Sequence, residues 1–403
     1  MEIAVNTNCA PKSNFMEELF YRYNPWWEEK YAPKGLIERL KFLNLLKEHL
    51  ASRQVIFLTG LRRVGKTTLL KLLINYLIHE KIVNPKHIFY ISLDDYHLKK
   101  ISILDIIDEY RKMHKIPFEE KIFLFLDEVG YKDNFEIQIK NLYDSQNAKI
   151  YASSSSASII KSKKPYLTGR NIVIEALPLD FDEYLKFKKI TIKKADKKLK
   201  EKYFEEYLNT GGLPEYVLTM EAEYLKELVD DIIKKDIASF YKIKNPKILE
   251  DFFMLLMERA GKIASINKLA NILKISPDSA SRYLKMFADS YLIYLVPRFG
   301  KTNDKILAPK KIYAADLGIR TFFTGFRDIG SLFENYVYLK IRHLEPYYVY
   351  ENEMEIDFLT KGKSLVEVKY NQSLKGKQKE FFEQISAKEK IVVNGISDID
   401  KLE

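Results

Sequence analysis

The stretch Val55-Ile56-Phe57-Leu58-Thr59-Gly60-Leu61-Arg62-Arg63-Val64-Gly65-Lys66-Thr67-Thr68-Leu69-Leu70 decides the fold. An apolar, β-branched run enters a loop with the spacing G-x-x-x-x-G-K-T, and residues 68–74 leave it with helical periodicity. Strand, glycine loop and helix together are the context in which this spacing builds a phosphate cradle. Gly60 and Gly65 permit tight turns and close backbone approach, so successive N–H groups and the helix N-terminus converge on the β-phosphate of a nucleotide. Lys66 then reaches the β- and γ-phosphates, and Thr67 offers its hydroxyl to Mg²⁺. Arg63 and Thr68 complete the candidate nucleotide contacts.

Outward from the cradle, apolar strand-like runs alternate with helical stretches, a pattern that predicts an α/β fold with a parallel sheet covered by helices on both faces. After residues 55–59 the strands fall at 87–94, 121–128, 148–153 and 171–175. The third run ends abruptly in Asp127-Glu128, at the strand end where open α/β sheets bind ligands. Asp127 is the candidate metal carboxylate, and Glu128 the residue that orients or deprotonates an attacking water. The run Ser153-Ser154-Ser155-Ser156 closes the next strand, where Ser153 is placed to sense the γ-phosphate or the water. Arg170, just before the fifth strand, is a candidate to stabilise the transferring phosphoryl group, in its own subunit or a neighbour's; Arg62 and Arg63 compete for that role.

Length and composition bound the rest. At 403 residues with 46% hydrophobic content, the chain carries more than one domain and ample core. No apolar run approaches the ~20 residues that span a bilayer, and the N-terminal residues lack a signal peptide's pattern, so a cytoplasmic protein without a membrane partner is expected. Cys9 is the single cysteine and cannot form an internal disulfide. With six scattered histidines and no cysteine cluster, any metal should be held by oxygen. A formal charge of +10 suits a polyanionic partner such as DNA, and it equally suits a lysine-rich thermophile surface.

Several separated segments resemble AAA+-related P-loop ATPases of prokaryotes, common in archaea, that carry a small C-terminal nuclease-like domain. These are Asn24-Pro25-Trp26-Trp27 ahead of the first helix, Arg39, the cradle with Leu61-Arg62-Arg63-Val64, Leu126-Asp127-Glu128 and Leu167-Thr168-Gly169-Arg170. The residues 178–184 and Gly211-Gly212-Leu213-Pro214-Glu215 extend the resemblance over nearly the whole chain. The chain departs from the family at the sensor strand, where Ala152 precedes the serines in place of glycine, and at Val129-Gly130, which replaces a more polar pair. ATP and Mg²⁺ are the expected cofactors and ADP the product, and a homo-oligomer is the state in which a neighbouring subunit would supply Arg170.

The expected domains are a P-loop core with an N-terminal helical segment over 1–190, a helical lid over 191–244, a winged helix-turn-helix segment over 245–300 and a small α/β nuclease-like domain over 301–403. The lysine-rich residues 193–200 open the lid as a solvated helix face. Two helices joined by a tight turn, the second capped by Ser276 with Pro277 at its first position, suggest helix-turn-helix. Ser279, Arg282 and Lys285 on that second helix are candidate DNA contacts; the family resemblance implies the winged module. Near the C-terminus a hairpin turning at residues 361–363 carries Asp357 on one strand and Glu367 and Lys369 on the next, with alternation placing the latter two on one face. This D…E-x-K pattern resembles PD-(D/E)XK nucleases, with Glu334 matching their helical acid and Ile356 where those enzymes have proline. Two carboxylates sharing Mg²⁺ and a lysine that positions water would serve metal-assisted phosphodiester hydrolysis. The functional expectation is Mg²⁺-dependent ATP hydrolysis coupled to DNA binding or processing. The alternatives are an ATP-regulated metal-dependent endonuclease and a nucleotide-gated DNA-binding switch with little turnover.

Overall fold

A computed structural model describes residues 13–33, 35–155 and 167–402, and these group into two units. Cys9 and Ser156 lie outside the described residues. The first unit comprises residues 1–60 and 65–176; the second comprises 61–64 and 177–403.

In the first unit, β1 (Val55–Thr59), β2 (Ile88–Ser92), β3 (Ile122–Asp127), β4 (Ala148–Ser153) and β5 (Asn171–Glu175) form a sheet in the order β2-β3-β4-β1-β5 among the described residues. Every pairing is parallel. The continuous apolar runs make this sheet because both of its faces are covered, as a parallel sheet requires. Val55 and Phe57 pack with the helices Ile103–His114 and Phe135–Ser145 in one core. On strand β4 Tyr151 stacks on Phe125 and donates its hydroxyl to the carbonyl of Leu46, on the helix Leu40–Glu48. The five strands and the helices on both faces match the α/β architecture expected from the pattern of apolar runs.

A helix at Ser13–Tyr23 precedes Asn24-Pro25-Trp26-Trp27, so this segment is not ahead of the first helix as its position in the sequence suggested. It serves the sheet edge. Asn24 donates to the carbonyls of Phe20 and Tyr90 and accepts the Tyr90 N–H at 2.7 Å, while both indole N–H groups reach the Ile88 carbonyl at 3.1 Å. The outer edge of β2 is thereby paired by side chains, which removes a template for strand addition.

In the second unit, helices Lys197–Thr210, Pro214–Thr219, Ala222–Asp231 and Pro246–Glu258 lead into the pair Ile266–Leu273 and Pro277–Asp289. Ser265 and Ser276 cap that pair by accepting the N–H groups of Lys268 and Ser279, and Lys274 makes the turn with φ 53°. The strands β6 (Lys262–Ala264), β7 (Ile293–Val296) and β8 (Lys310–Ala314) follow as an antiparallel sheet with β8 in the middle, so this sheet takes its central strand from beyond residue 300. The strands β9 (Tyr347–Glu351), β10 (Met354–Leu359), β11 (Ser364–Val368) and β12 (Glu389–Val393) form the last sheet, in the order β12-β11-β10-β9. The motif Gly211-Gly212 fixes an internal joint of the unit. A Cβ on Gly211 would lie 2.3 Å from the Gly318 nitrogen, and one on Gly212 would lie 2.1 Å from the Leu179 carbonyl oxygen. Asp316 completes this joint by accepting the N–H groups of Gly212 and Ile319.

Candidate nucleotide site

The cradle follows β1 directly, and Gly60 has no room for a side chain: with φ 130°, a Cβ there would lie 2.2 Å from the Ala176 carbonyl oxygen. Gly65, at φ 94°, caps the helix Lys66–His79, which begins with the Leu69 N–H bonded to the Gly65 carbonyl. Lys66 is buried, its ammonium donating to the Gly60 carbonyl at 3.0 Å. Thr67 and Thr68 occupy the first turn of this helix, both half-buried.

The parallel register brings the end of β3 beside the cradle. The Thr67 hydroxyl donates to Asp127 Oδ2 at 2.6 Å, and Tyr90 on β2 donates to the same oxygen at 2.8 Å. Ser153 donates to Asp127 Oδ1 and accepts the Glu128 N–H at 3.0 Å. Its hydroxyl is therefore engaged by the two acidic residues, and Ser155 is the serine that holds the Glu128 carboxylate, through its hydroxyl at 3.2 Å. Glu128 has φ 52°, a left-handed conformation that turns its side chain away from the direction the strand would give it. Burial pushes its carboxyl above the usual range; the Lys66 charge opposes that shift and the Asp127 charge adds to it.

Arg170 does not join this group in its own chain. Its carbonyl accepts the Val55 N–H, which puts it at the N-terminal edge of the parallel strands, whereas the cradle leaves their C-terminal edge. The guanidinium pairs with Asp144 at 3.3 Å and lies over the Tyr143 ring. Strand length alone separates Arg170 from the phosphate position, at ~3.3 Å of rise per residue over β5, so a role within its own subunit is corrected. Arg62 and Arg63 cluster with the second unit, where Arg62 binds Asp236 at 2.9 Å and Arg63, itself at φ 63°, lies over the Tyr224 ring.

At the second candidate site the hairpin has the register the pattern called for. Phe358 pairs with Val366, which sets Asp357 across from Glu367, and the Asp357 N–H donates to Glu367 while Val368 N–H donates to Asp357. Lys369 pairs with Glu367 at 2.7 Å. Glu334 reaches the group through a residue that sequence reasoning missed: Lys311, from β8, lies 2.7 Å from Glu334, 2.5 Å from Glu355 and 2.9 Å from Asp357. Lys311 is 1% exposed. Its signal in the sequence is slight: it is the second of two lysines that open an otherwise apolar strand. Burial opposes its charge, but Asp357, Glu334 and Glu355 outweigh burial and hold it protonated. Burial and the neighbouring Asp357 charge push Glu334 up to about 8 and Glu367 up to about 7. The metal of PD-(D/E)XK chemistry does not fit this arrangement, because the oxygens it would need surround an ammonium.

On the helix Pro277–Asp289, Arg282 and Lys285 are exposed, while the Ser279 hydroxyl is engaged with that of Ser276. No helix among the described residues is long and apolar enough to cross a membrane.

The uncharacterized protein MJ1544 of Methanocaldococcus jannaschii is 32% identical over 345 residues, covering 80% of this chain and 76% of the relative. The chain belongs to the family of MJ1544. An uncharacterized protein of Haemophilus influenzae, 25% identical over 76% of this chain and 79% of its own length, is similar as well. A family model described as an AAA domain matches residues 52–185, which contain the cradle and Asp127-Glu128, and a domain of unknown function, DUF8612, matches residues 201–329. In this MJ1544 relative, then, the five-stranded sheet is a P-loop domain of AAA type. Among solved structures, the Walker-type ATPase PABY2304 of Pyrococcus abyssi is similar with a TM-score of 0.45 at 15% identity, over 74% of this chain and 98% of that one. The Aeropyrum pernix Orc1 protein in complex with DNA is similar with a TM-score of 0.33 at 11% identity, over 76% of this chain and 97% of that one.

Proposed function

We propose that this protein hydrolyses ATP in the presence of Mg²⁺ at the site formed by the cradle and the end of β3. The observation that carries the reading is the 2.6 Å approach of Thr67 to Asp127, with Glu128 held one residue further by Ser155. A hydroxyl and a carboxylate supply the hard oxygen donors that Mg²⁺ takes in such sites, so Thr67 and Asp127 would hold it together with the substrate's phosphates. The metal would offset negative charge on those phosphates. Backbone N–H groups of the cradle and the Lys66 ammonium would bind the β- and γ-phosphates, replacing the Gly60 carbonyl as the partner of Lys66. Glu128 would take the proton of the attacking water, a task suited to a carboxyl pushed up by burial. Ser153 would act as a positioning residue for both acidic groups. Binding and turnover separate in two variants: Lys66→Ala should lose binding of a fluorescent ADP, whereas Glu128→Gln should keep it. Retained ADP binding in Lys66→Ala would take the cradle out of the account.

Coupling to DNA is favoured by one further observation, the exposed Arg282 and Lys285 on the second helix of a tightly turned and well-capped pair. Duplex affinity should fall steeply with salt as phosphate counterions are released. The double variant Arg282→Ala, Lys285→Ala should lower both affinity and the salt slope; an unchanged slope would make this helix a packing element.

A further inference from the structure

The position of Lys311 changes what the C-terminal acidic group can be. Its side chain leaves β8, whose backbone pairs with β6 and β7, and enters the cluster on the C-terminal sheet. An ammonium has three N–H groups and no acceptor. Here it meets Glu334 from the helix Ile329–Ile341 and both Glu355 and Asp357 from β10, which share a face because they are two residues apart. Further donors share these carboxylates: Tyr313 donates to the Glu334 Oε1 that Lys311 also meets, Val368 N–H donates to Asp357 Oδ2, and Lys369 and Gln378 bind Glu367 Oε1. Mg²⁺ bonds oxygen at ~2.0–2.1 Å and keeps several waters, so it would need the same oxygens and the same buried space.

We propose that Lys311 is the resident cation of this cluster, standing where a divalent metal would sit, and that the D…E-x-K arrangement here fastens β8 to the C-terminal sheet without metal. The four acidic groups then act as hydrogen-bond acceptors, and where ionised as counter-charges, for Lys311 and Lys369, and the lysine that would position water in a nuclease is spent on Glu367. Substrate DNA has no metal-bound water to meet at this position.

The test is Mn²⁺ binding by the full chain, followed by electron paramagnetic resonance without nucleotide, in a background carrying Asp127→Asn so that the nucleotide site loses the carboxylate assigned to the metal. With Lys311 present, no bound Mn²⁺ is expected at millimolar metal. Lys311→Met should gain about one equivalent, by simple opening of the ammonium's position, and adding Asp357→Asn should abolish it. Mn²⁺ bound by the Lys311 protein and lost on Asp357→Asn overturns the proposal, as does a folded Lys311→Met protein that gains none. If Lys311→Met does not fold, the Lys311 arm decides alone: Mn²⁺ binding sensitive to Asp357→Asn overturns it, and the lack of such binding upholds it.

Discussion

Arg170 shows how far a single residue's role depends on which end of a strand it occupies. A residue just before a parallel strand lies at the edge opposite to the loop that follows its neighbour, and Arg170 sits beside Val55 while the cradle begins after Thr59. Its pairing with Asp144 is exposed to water, which screens such pairs so that they add little. Arg170→Ala should therefore leave the ATP turnover of the isolated subunit unchanged, measured as phosphate release at dilutions where the protein is monomeric. A tenfold or greater loss at such dilution would return Arg170 to the site. Lys66, Thr67, Asp127 and Glu128 were legible because each has a fixed offset from a glycine or a strand end. Ser153 was legible by position only: its hydroxyl turns to Asp127 and the Glu128 N–H, a choice that needs the neighbouring strand's coordinates.

Elements were legible wherever burial writes a period into the chain. Strands β1 to β5 announced themselves as apolar runs, and Ser276-Pro277 announced a helix start through capping and a preset φ. The segment at residues 24–27 announced nothing of its work, because its partners are backbone carbonyls of β2 more than 60 positions away. That work has a measurable size. Asn24 is fully buried and bonds backbone at both Phe20 and Tyr90, so Asn24→Ala leaves the Tyr90 N–H and its carbonyl without this partner. Each such loss costs ~1–3 kcal/mol, and urea denaturation should show a lower midpoint with an unchanged slope. An unchanged midpoint would mean the edge of β2 is held by the tryptophans alone. Lys311 escaped notice for a related reason: within β8 it reads as one lysine of two, and only tertiary packing places it among Glu334, Glu355 and Asp357.

At the scale of the whole molecule, a buried carboxyl of the second unit ties stability to pH. Asp316 is buried, and burial raises its pKa to about 6 against the opposing pull of N–H groups from Gly212, Ile319 and Gly318. A carboxyl raised on folding binds its proton more tightly in the native state, so its stabilising contribution is complete below the unfolded value near 4 and is lost as pH rises through about 6. The slope is at most one proton, about 1.4 kcal/mol per pH unit. Urea denaturation should show a slope between pH 4 and 6 that is shallower in Asp316→Asn than in the wild type by up to this amount, because Glu334 and Glu367, also raised by burial, add slope over this range in both proteins; an equal slope in both would place the Asp316 titration elsewhere. The fold class could be read from the sequence since alternating strands and helices admit few topologies, whereas the joint between Gly211-Gly212 and Asp316 joins residues over a hundred positions apart and left no local pattern. The central claim remains turnover at the cradle, and phosphate release from ATP with Mg²⁺ tests it most directly. The wild type should release phosphate, and Glu128→Gln should do so ~10²–10⁴ times more slowly with nucleotide binding intact. Equal rates in the two proteins, or no release by the wild type, would contradict the account.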